Sequence, residues 1–303
     1  MKALLLIGLM TANLYASPLS IVPDKLVTPF LDIFSTSNKQ LSAEKMEVRV
    51  SPYNKNGEIS KGASKLEMPM DQYLKARKQA SAVLRMIPSE SYANADGMIY
   101  MGTAFHIGEN LVLTNQHVLS PDRSNKSECG GFQLYSNTTS EIFPCKKVHY
   151  CNEENDVCLI EMGATKRCLN FLCTKKEMVE LKQGEALKLK ATPMMSYENM
   201  DSQVMTCIGN TMGLGIHYSQ GRGLRNSGDR IYFFAPLRTG NSGGPLIGED
   251  GLVWGVVKLE SQLKVGSEAY NVAASMEKVI SLMREQLSND KVTLEKFNKA
   301  VVD

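Results

Sequence analysis

Gly240-Asn241-Ser242-Gly243-Gly244-Pro245 carries the clearest chemical signal in this 303-residue chain. A serine flanked by glycines can stand in a tight turn with its hydroxyl presented, and the glycines let backbone N–H groups converge on an incoming carbonyl oxygen. The hydroxyl is inert unless a base removes its proton. The chain has four histidines, His106, His117, His149 and His217, and all of them precede Ser242. That order excludes the G-x-S-x-G elbow of α/β-hydrolases, in which the histidine follows the serine. His117 closes the strand-like run Leu111-Val112-Leu113-Thr114-Asn115-Gln116-His117-Val118, where side chains leave a sheet. His106 falls inside an alternating strand, as a packed or surface residue would, and His149 and His217 have no supporting context. Asp156 stands directly before the buried-looking run Val157-Cys158-Leu159-Ile160 and supplies a carboxylate to orient an imidazole. Taken singly, each piece reads as an ordinary turn or core residue. In the order His, Asp, Ser they point to nucleophilic attack on a carbonyl.

The elements that must hold these residues are short strands. Ser81–Ile87, Met98–Ile107, Leu111–Thr114, Phe132–Tyr135, Val157–Glu161, Ala186–Ala191, Val204–Ile208, Ile231–Phe234 and Leu252–Val257 are β-rich runs separated by turn residues. Gly108-Glu109-Asn110 reads as a tight hairpin turn. No long amphipathic helices alternate with the strands, which argues for antiparallel barrels or sandwiches and against βαβ units. Only Ala274–Gln286 has helical spacing, with Val279, Ile280, Met283 and Leu287 on one side. Residues 17–79 have a different texture, with Pro18, Pro23, Pro29 and Pro52 and one expected helix over Met70–Lys78. They read as a leader, a propeptide or an arm around the main domain.

At 43% hydrophobic and 22% charged, the composition is globular. Lys+Arg of 34 against Asp+Glu of 32 leaves +2, so no basic field argues for nucleic acid. The run Ala3–Met10 behind Lys2 is too short to span a bilayer. With small residues at Ala16-Ser17, it has the layout of a secretory signal over residues 1–16, so the expected location is secreted or periplasmic. In that compartment the seven cysteines, Cys129 to Cys207, suggest disulfides that staple the middle of the chain, with an odd thiol left over. Their connectivity is not deducible, since six cysteines alone permit 15 pairings. No C-x-x-C pair occurs and His149 is the only histidine nearby, so no metal site and no cofactor are expected. Two sequons, Asn125-Lys126-Ser127 and Asn137-Thr138-Thr139, would be used only in a eukaryotic secretory route.

Leu113-Thr114-Asn115-Gln116-His117-Val118, Asn155-Asp156-Val157-Cys158-Leu159-Ile160 and Thr239-Gly240-Asn241-Ser242-Gly243-Gly244-Pro245-Leu246 together resemble the trypsin/chymotrypsin-like serine peptidases. With Gly102-Thr103-Ala104-Phe105, the likeness is nearest to the glutamyl endopeptidase-like and HtrA-like branches. The resemblance covers roughly residues 80–287. It implies an all-β fold of two antiparallel six-stranded β-barrels with a C-terminal helix, and intervals of 39 and 86 residues between His117, Asp156 and Ser242 suit it. It further implies Ser242 as nucleophile, His117 as proton shuttle, Asp156 as its orienter, an oxyanion hole from the N–H groups of Gly240 and Ser242, and a protein or peptide substrate. Residues 288–303 then form a C-terminal tail, too short for the peptide-binding PDZ domain usual in HtrA proteins.

The chain also departs from that pattern. Asn241 stands where trypsin-like zymogens have an aspartate that pairs with a new N-terminus, so Ile21-Val22 has no such partner and activation by that ion pair is not expected. Pro236 stands six residues before the serine, where a carboxylate would floor a pocket for Lys or Arg. Lys258 and Glu260 lie in the strand that should line the substrate, and there favour an acidic and a basic side chain respectively, or point to solvent. These departures motivate an alternative reading as a catalytically silent binding protein on the same fold. A weaker third reading is an esterase using the same three residues.

Overall fold

The computed structural model of the chain describes residues 28–51, 64–88, 101–119, 129, 132–138, 141–168, 176–181, 185–191, 203–265 and 268–303. The expected export signal over 1–16, Ile21-Val22, Cys173 and the Asn125 sequon lie outside them. An N-terminal arm comprises β1 (Thr28–Asp32), β2 (Lys39–Gln40), β3 (Lys45–Val50), β4 (Lys65–Pro69) and helix α1 (Met70–Ser81). The first barrel-like sheet follows: β5 (Val83–Pro88), β6 (Gly102–Gly108), β7 (Leu111–Thr114), a short helix α2 (Gln116–Leu119), β8 (Phe132–Ser136), β9 (Ile142–Phe143), β10 (Cys145–Asn152) and β11 (Val157–Met162). A separate hairpin, β12 (Thr165–Cys168) with β13 (Lys176–Val179), and β14 (Leu189–Lys190) lead to the second barrel. That barrel is made of β15 (Val204–Asn210), β16 (Ile216–Asn226), β17 (Arg230–Phe234), β18 (Pro245–Ile247), β19 (Val253–Val265) and β20 (Glu268–Ser275). The chain ends with α3 (Met276–Gln286), α4 (Lys291–Asn298) and β21 (Val301–Val302).

The second barrel is a closed ring of six antiparallel strands, β15–β16–β17–β20–β19–β18 and back to β15. Closure removes every free sheet edge within the ring. The first sheet has seven strands in the order β10-β11-β7-β6-β5-β8-β9 and forms a half-barrel. Its count exceeds six because Pro144 separates β9, which bonds β8, from β10, which bonds β11. Proline has no N–H to continue the ladder, so one long strand becomes two. At the β6–β7 hairpin, Glu109 and Asn110 adopt φ of 51° and 61°. Both turn residues are left-handed, the geometry whose twist matches the flanking strands.

Period-2 patterning builds the cores. Along β11, Val157 and Leu159 face the core shared with the arm and α3, whereas Cys158 and Ile160 face the interior of the first sheet. A third cluster, including Phe233, Leu246, Trp254 and Val257, fills the second barrel. Both faces of β11 are thus buried, which explains why Val157–Ile160 is an unbroken apolar run.

Residues 28–51 and 64–81 pack as part of this body. β1 pairs with β16 and β3, and the arm extends the second barrel's sheet to twelve strands. Leu31, Val48, Met68 and Ala76 are buried in the same core as Val279 and Met283 of α3. Beyond α3, where a tail is expected, Asp290 caps α4 by accepting the Thr293 N–H, Phe297 is fully buried, and β21 pairs with β14. Among the described residues two disulfides are formed, Cys129–Cys145 and Cys151–Cys158, and Cys207 is a buried free thiol inside the second barrel. Among the described residues no helix is long and apolar enough to cross a membrane.

His106 proves to be a packed residue of β6: its ring is fully buried and neither nitrogen has a hydrogen-bond partner among the described residues. Burial pushes its pKa down from 6.5 to about 4. The unfolded chain therefore binds a proton that the folded chain refuses between those values, so stability is full above pH 6.5 and falls as pH drops toward 4. The loss from this ring should be on the order of 3 kcal/mol. Denaturant unfolding followed across that range should show this slope, and His106→Leu should flatten it; an unchanged slope in the variant would refute the assignment.

Candidate active site

His117 and Asp156 are brought together by strand register. β7 and β11 are antiparallel with Thr114 opposite Cys158 and Leu113 opposite Leu159, so the residues just beyond each strand meet. The Asp156 carboxylate accepts twice from His117: Oδ1 takes its backbone N–H at 2.9 Å, and Oδ2 lies 2.7 Å from ring Nδ1. Two contacts fix both the helix that carries the imidazole and the rotation of the ring. Asp156 is buried, while the His117 side chain is 39% exposed and so is open to solvent.

The loop around Asp156 is held in an uncommon conformation. Asp156 has φ of 53°, in the left-handed region that aspartate tolerates better than most residues. Its carbonyl accepts from Asn115 Nδ2 at 2.7 Å, and its N–H bonds the Glu153 carbonyl at 3.2 Å. The Cys151–Cys158 disulfide closes this hairpin across a directly opposed pair of residues. Asn115 was legible only as part of a motif; its task of clamping Asp156 depends on a contact 41 residues away.

Ser242 sits in the loop between β17 and β18 and is buried to 5% exposure. Asn241 N–H bonds the Arg238 carbonyl at 3.0 Å, Gly244 N–H bonds the Asn241 carbonyl at 3.0 Å, and Gly243 N–H bonds the Val257 carbonyl at 2.9 Å. Gly240 has φ of 95°, and a Cβ there would overlap the Asn210 carbonyl oxygen. At Gly243 a Cβ would overlap the Thr103 carbonyl and the Thr114 hydroxyl and lie 3.1 Å from the Asn115 nitrogen. The serine loop therefore rests directly on the segment that leads into His117, and only glycine permits so close an approach.

Thr103 is the fastener, a role that its sequence context does not reveal. Its N–H donates to the Ser242 carbonyl at 2.9 Å, and its hydroxyl donates to the Gly240 carbonyl at 2.6 Å. The same hydroxyl accepts from Asn210 N–H at 2.8 Å, and its carbonyl accepts from the Thr114 hydroxyl at 2.7 Å. Beside it, Asn241 is buried, and among the described residues its Oδ1 has no hydrogen-bond partner. An aspartate at that place would put an uncompensated anion there, so the neutral side chain suits its surroundings.

Of the remaining candidates, one reaches the pair. Lys258 extends to Asp156, with Nζ 4.0 Å from Oδ2. Pro236 is half-buried and its carbonyl accepts from the Ser219 hydroxyl at 2.9 Å. Glu260 belongs to β19, but its side chain lies outside the described residues. His149 lies 2.9 Å from Glu161 and 3.3 Å from the Thr293 hydroxyl, tying the first sheet to α4. His217 bonds the Gly215 carbonyl at 3.0 Å and meets Phe30 of the arm edge-on.

Thr103→Val should keep the shape of the side chain but strand two buried backbone groups, Gly240 C=O and Asn210 N–H. We expect a loss of about 2–4 kcal/mol in denaturant unfolding, with Thr103→Ser remaining within about 1 kcal/mol of the parent. Equal stability of the valine and serine variants would show that the hydroxyl does not hold the loop.

A profile of the trypsin-like peptidase domain family matches residues 102–256, just over half of the chain. The chain is 30% identical over 161 residues to serine protease HTRA1 of Xenopus laevis, covering 52% of this chain and 31% of that protein. Against serine protease HTRA1B of Danio rerio it is 30% identical over 169 residues, covering 55% and 32%. The aligned region thus spans about a third of the length of these relatives. In fold it is similar to the serine endoprotease from Yersinia pestis, with a TM-score of 0.54 at 16% identity over 74% of this chain and 69% of that one. It is also similar to the HtrA-type protease AlgW with tripeptide, with a TM-score of 0.50 at 18% identity over 71% and 63%. By the match to its central region and by its strand-dominated architecture of a barrel and a half-barrel, this chain belongs to the trypsin-like peptidase domain family.

Proposed function

We propose that the protein is an exported serine endopeptidase acting on protein or peptide substrates through Ser242, His117 and Asp156. The observation that carries this reading is the His117–Asp156 pair, held at 2.7 Å at the foot of the loop that bears Ser242. In this reading Ser242 Oγ attacks the scissile carbonyl while His117 Nε2 takes its proton. Asp156 keeps the other ring nitrogen protonated and stabilises the imidazolium as it forms. The N–H groups of Gly240 and Ser242 receive the developing oxyanion, and the left-handed backbone at Gly240 supports that assignment. The tetrahedral intermediate collapses to an acyl-enzyme as His117 returns the proton to the leaving amine, and water then repeats the sequence. The peptidase domain is assigned to residues 80–287, the export signal to 1–16, and the two disulfides fit an oxidising compartment.

A fluorophosphonate probe and a peptide library test the reading together. Mature protein should be labelled at Ser242 and should cleave peptides in preference to simple esters. Ser242→Ala and His117→Ala should each lower turnover by about five to six orders of magnitude, with little change in unfolding midpoint. A folded wild-type protein that is neither labelled nor active would sink the assignment and leave the binding-protein reading.

A further inference from the structure

We infer that Lys258 is a positioning residue for the His117–Asp156 pair, its ammonium reaching across the junction of the two barrels to the carboxylate that orients the imidazole. The inference rests on the peptidase reading above and adds to it a residue that acts through Asp156. Its backbone leaves Lys258 little freedom. The preceding residue, Val257, is locked to the serine loop, donating to the Gly244 carbonyl at 2.8 Å and accepting from Gly243 N–H at 2.9 Å. On the other side of the strand Lys258 is paired with Val272 of β20, and the register shifts immediately after it. From that anchored position Nζ comes to 4.0 Å from Asp156 Oδ2, the oxygen that also faces His117 Nδ1.

At this separation the ammonium acts by charge and shares no hydrogen with the carboxylate. The side chains are 24% and 6% exposed, so solvent screens the pair only in part. Among the described residues, the ionisable groups paired with Asp156 are His117 from α2 and Lys258 from β19. Two consequences follow. Lys258 steadies Asp156 as an anion aimed at the ring, and it links the sheet carrying the pair to the strand bonded to the serine loop. This use of the ammonium competes with direct capture of an acidic substrate side chain, one of the two roles that the sequence left open for Lys258.

The test compares full-length wild type, Lys258→Met and Lys258→Arg. The readouts are the rate of fluorophosphonate labelling and the separate kcat and KM for a cleaved peptide. Lys258→Met should lower both kcat and the labelling rate several-fold with KM little changed. Lys258→Arg should restore both. Urea unfolding supplies a readout independent of turnover: Lys258→Met should lower the midpoint in wild type and much less in an Asp156→Asn background. A labelled, active wild type whose methionine variant keeps its kcat and labelling rate, or changes only KM, overturns the role of Lys258 and leaves the peptidase reading intact. Absence of Asp156 dependence in unfolding also overturns it. A wild type that is not labelled removes the peptidase reading, and the positioning role of Lys258 falls with it.

Discussion

Thr103 of the first sheet lies wholly buried among backbone groups of the second barrel, and its hydrogen bonds set how the two halves meet. Apolar packing alone is non-directional and would tolerate sliding between the halves. Hydrogen bonds at 2.6–2.9 Å to the carbonyls of Gly240 and Ser242 tolerate very little, because a displaced partner would leave a buried polar group unsatisfied. The glycines at 209, 243 and 244 are the counterpart of this contact, since a side chain at any of them would press on Asn241, Thr103 or Ile208. The serine loop is consequently seated against the end of β7, from which His117 projects.

The carboxylate side of the site depends on a strand that cannot slip. β11 buries alternate residues in two different cores, so moving it by one position would exchange every side chain between them. Asp156 therefore begins at a definite height, opposite the turn into α2. Its left-handed backbone stores strain, and the Cys151–Cys158 disulfide and the Asn115 amide hold it in place. The ion pair with Lys258 brings in the second barrel, so the carboxylate is held from both halves of the molecule.

The terminal elements brace this arrangement. The arm continues the sheet from β16, and α1 contributes Tyr73, Ala76 and Ala80 to the central core. At the other end, α4 and β21 fold back so that Thr293 reaches His149 and Val301 pairs beside Leu189. Glu161 gathers Lys146, His149 and Lys296 around one carboxylate, and those partners pull its pKa down to about 2 despite burial.

Sequence by itself determined what local physics dictates. Alternating apolar residues marked the short strands, the spacing of Val279, Ile280 and Met283 marked α3, and the glycines around Ser242 marked a loop that side chains would obstruct. His117 and Asp156 were legible because each adjoins a strand whose period was plain. Tertiary structure decided everything that joins residues distant in the chain: the pairing of cysteines, the addition of the arm to β16, the closing turn of α4, the fastening by Thr103, and the direction of Lys258 toward Asp156. Such contacts depend on which barrel faces meet, and that is settled by register and packing across the whole molecule, which no single segment encodes.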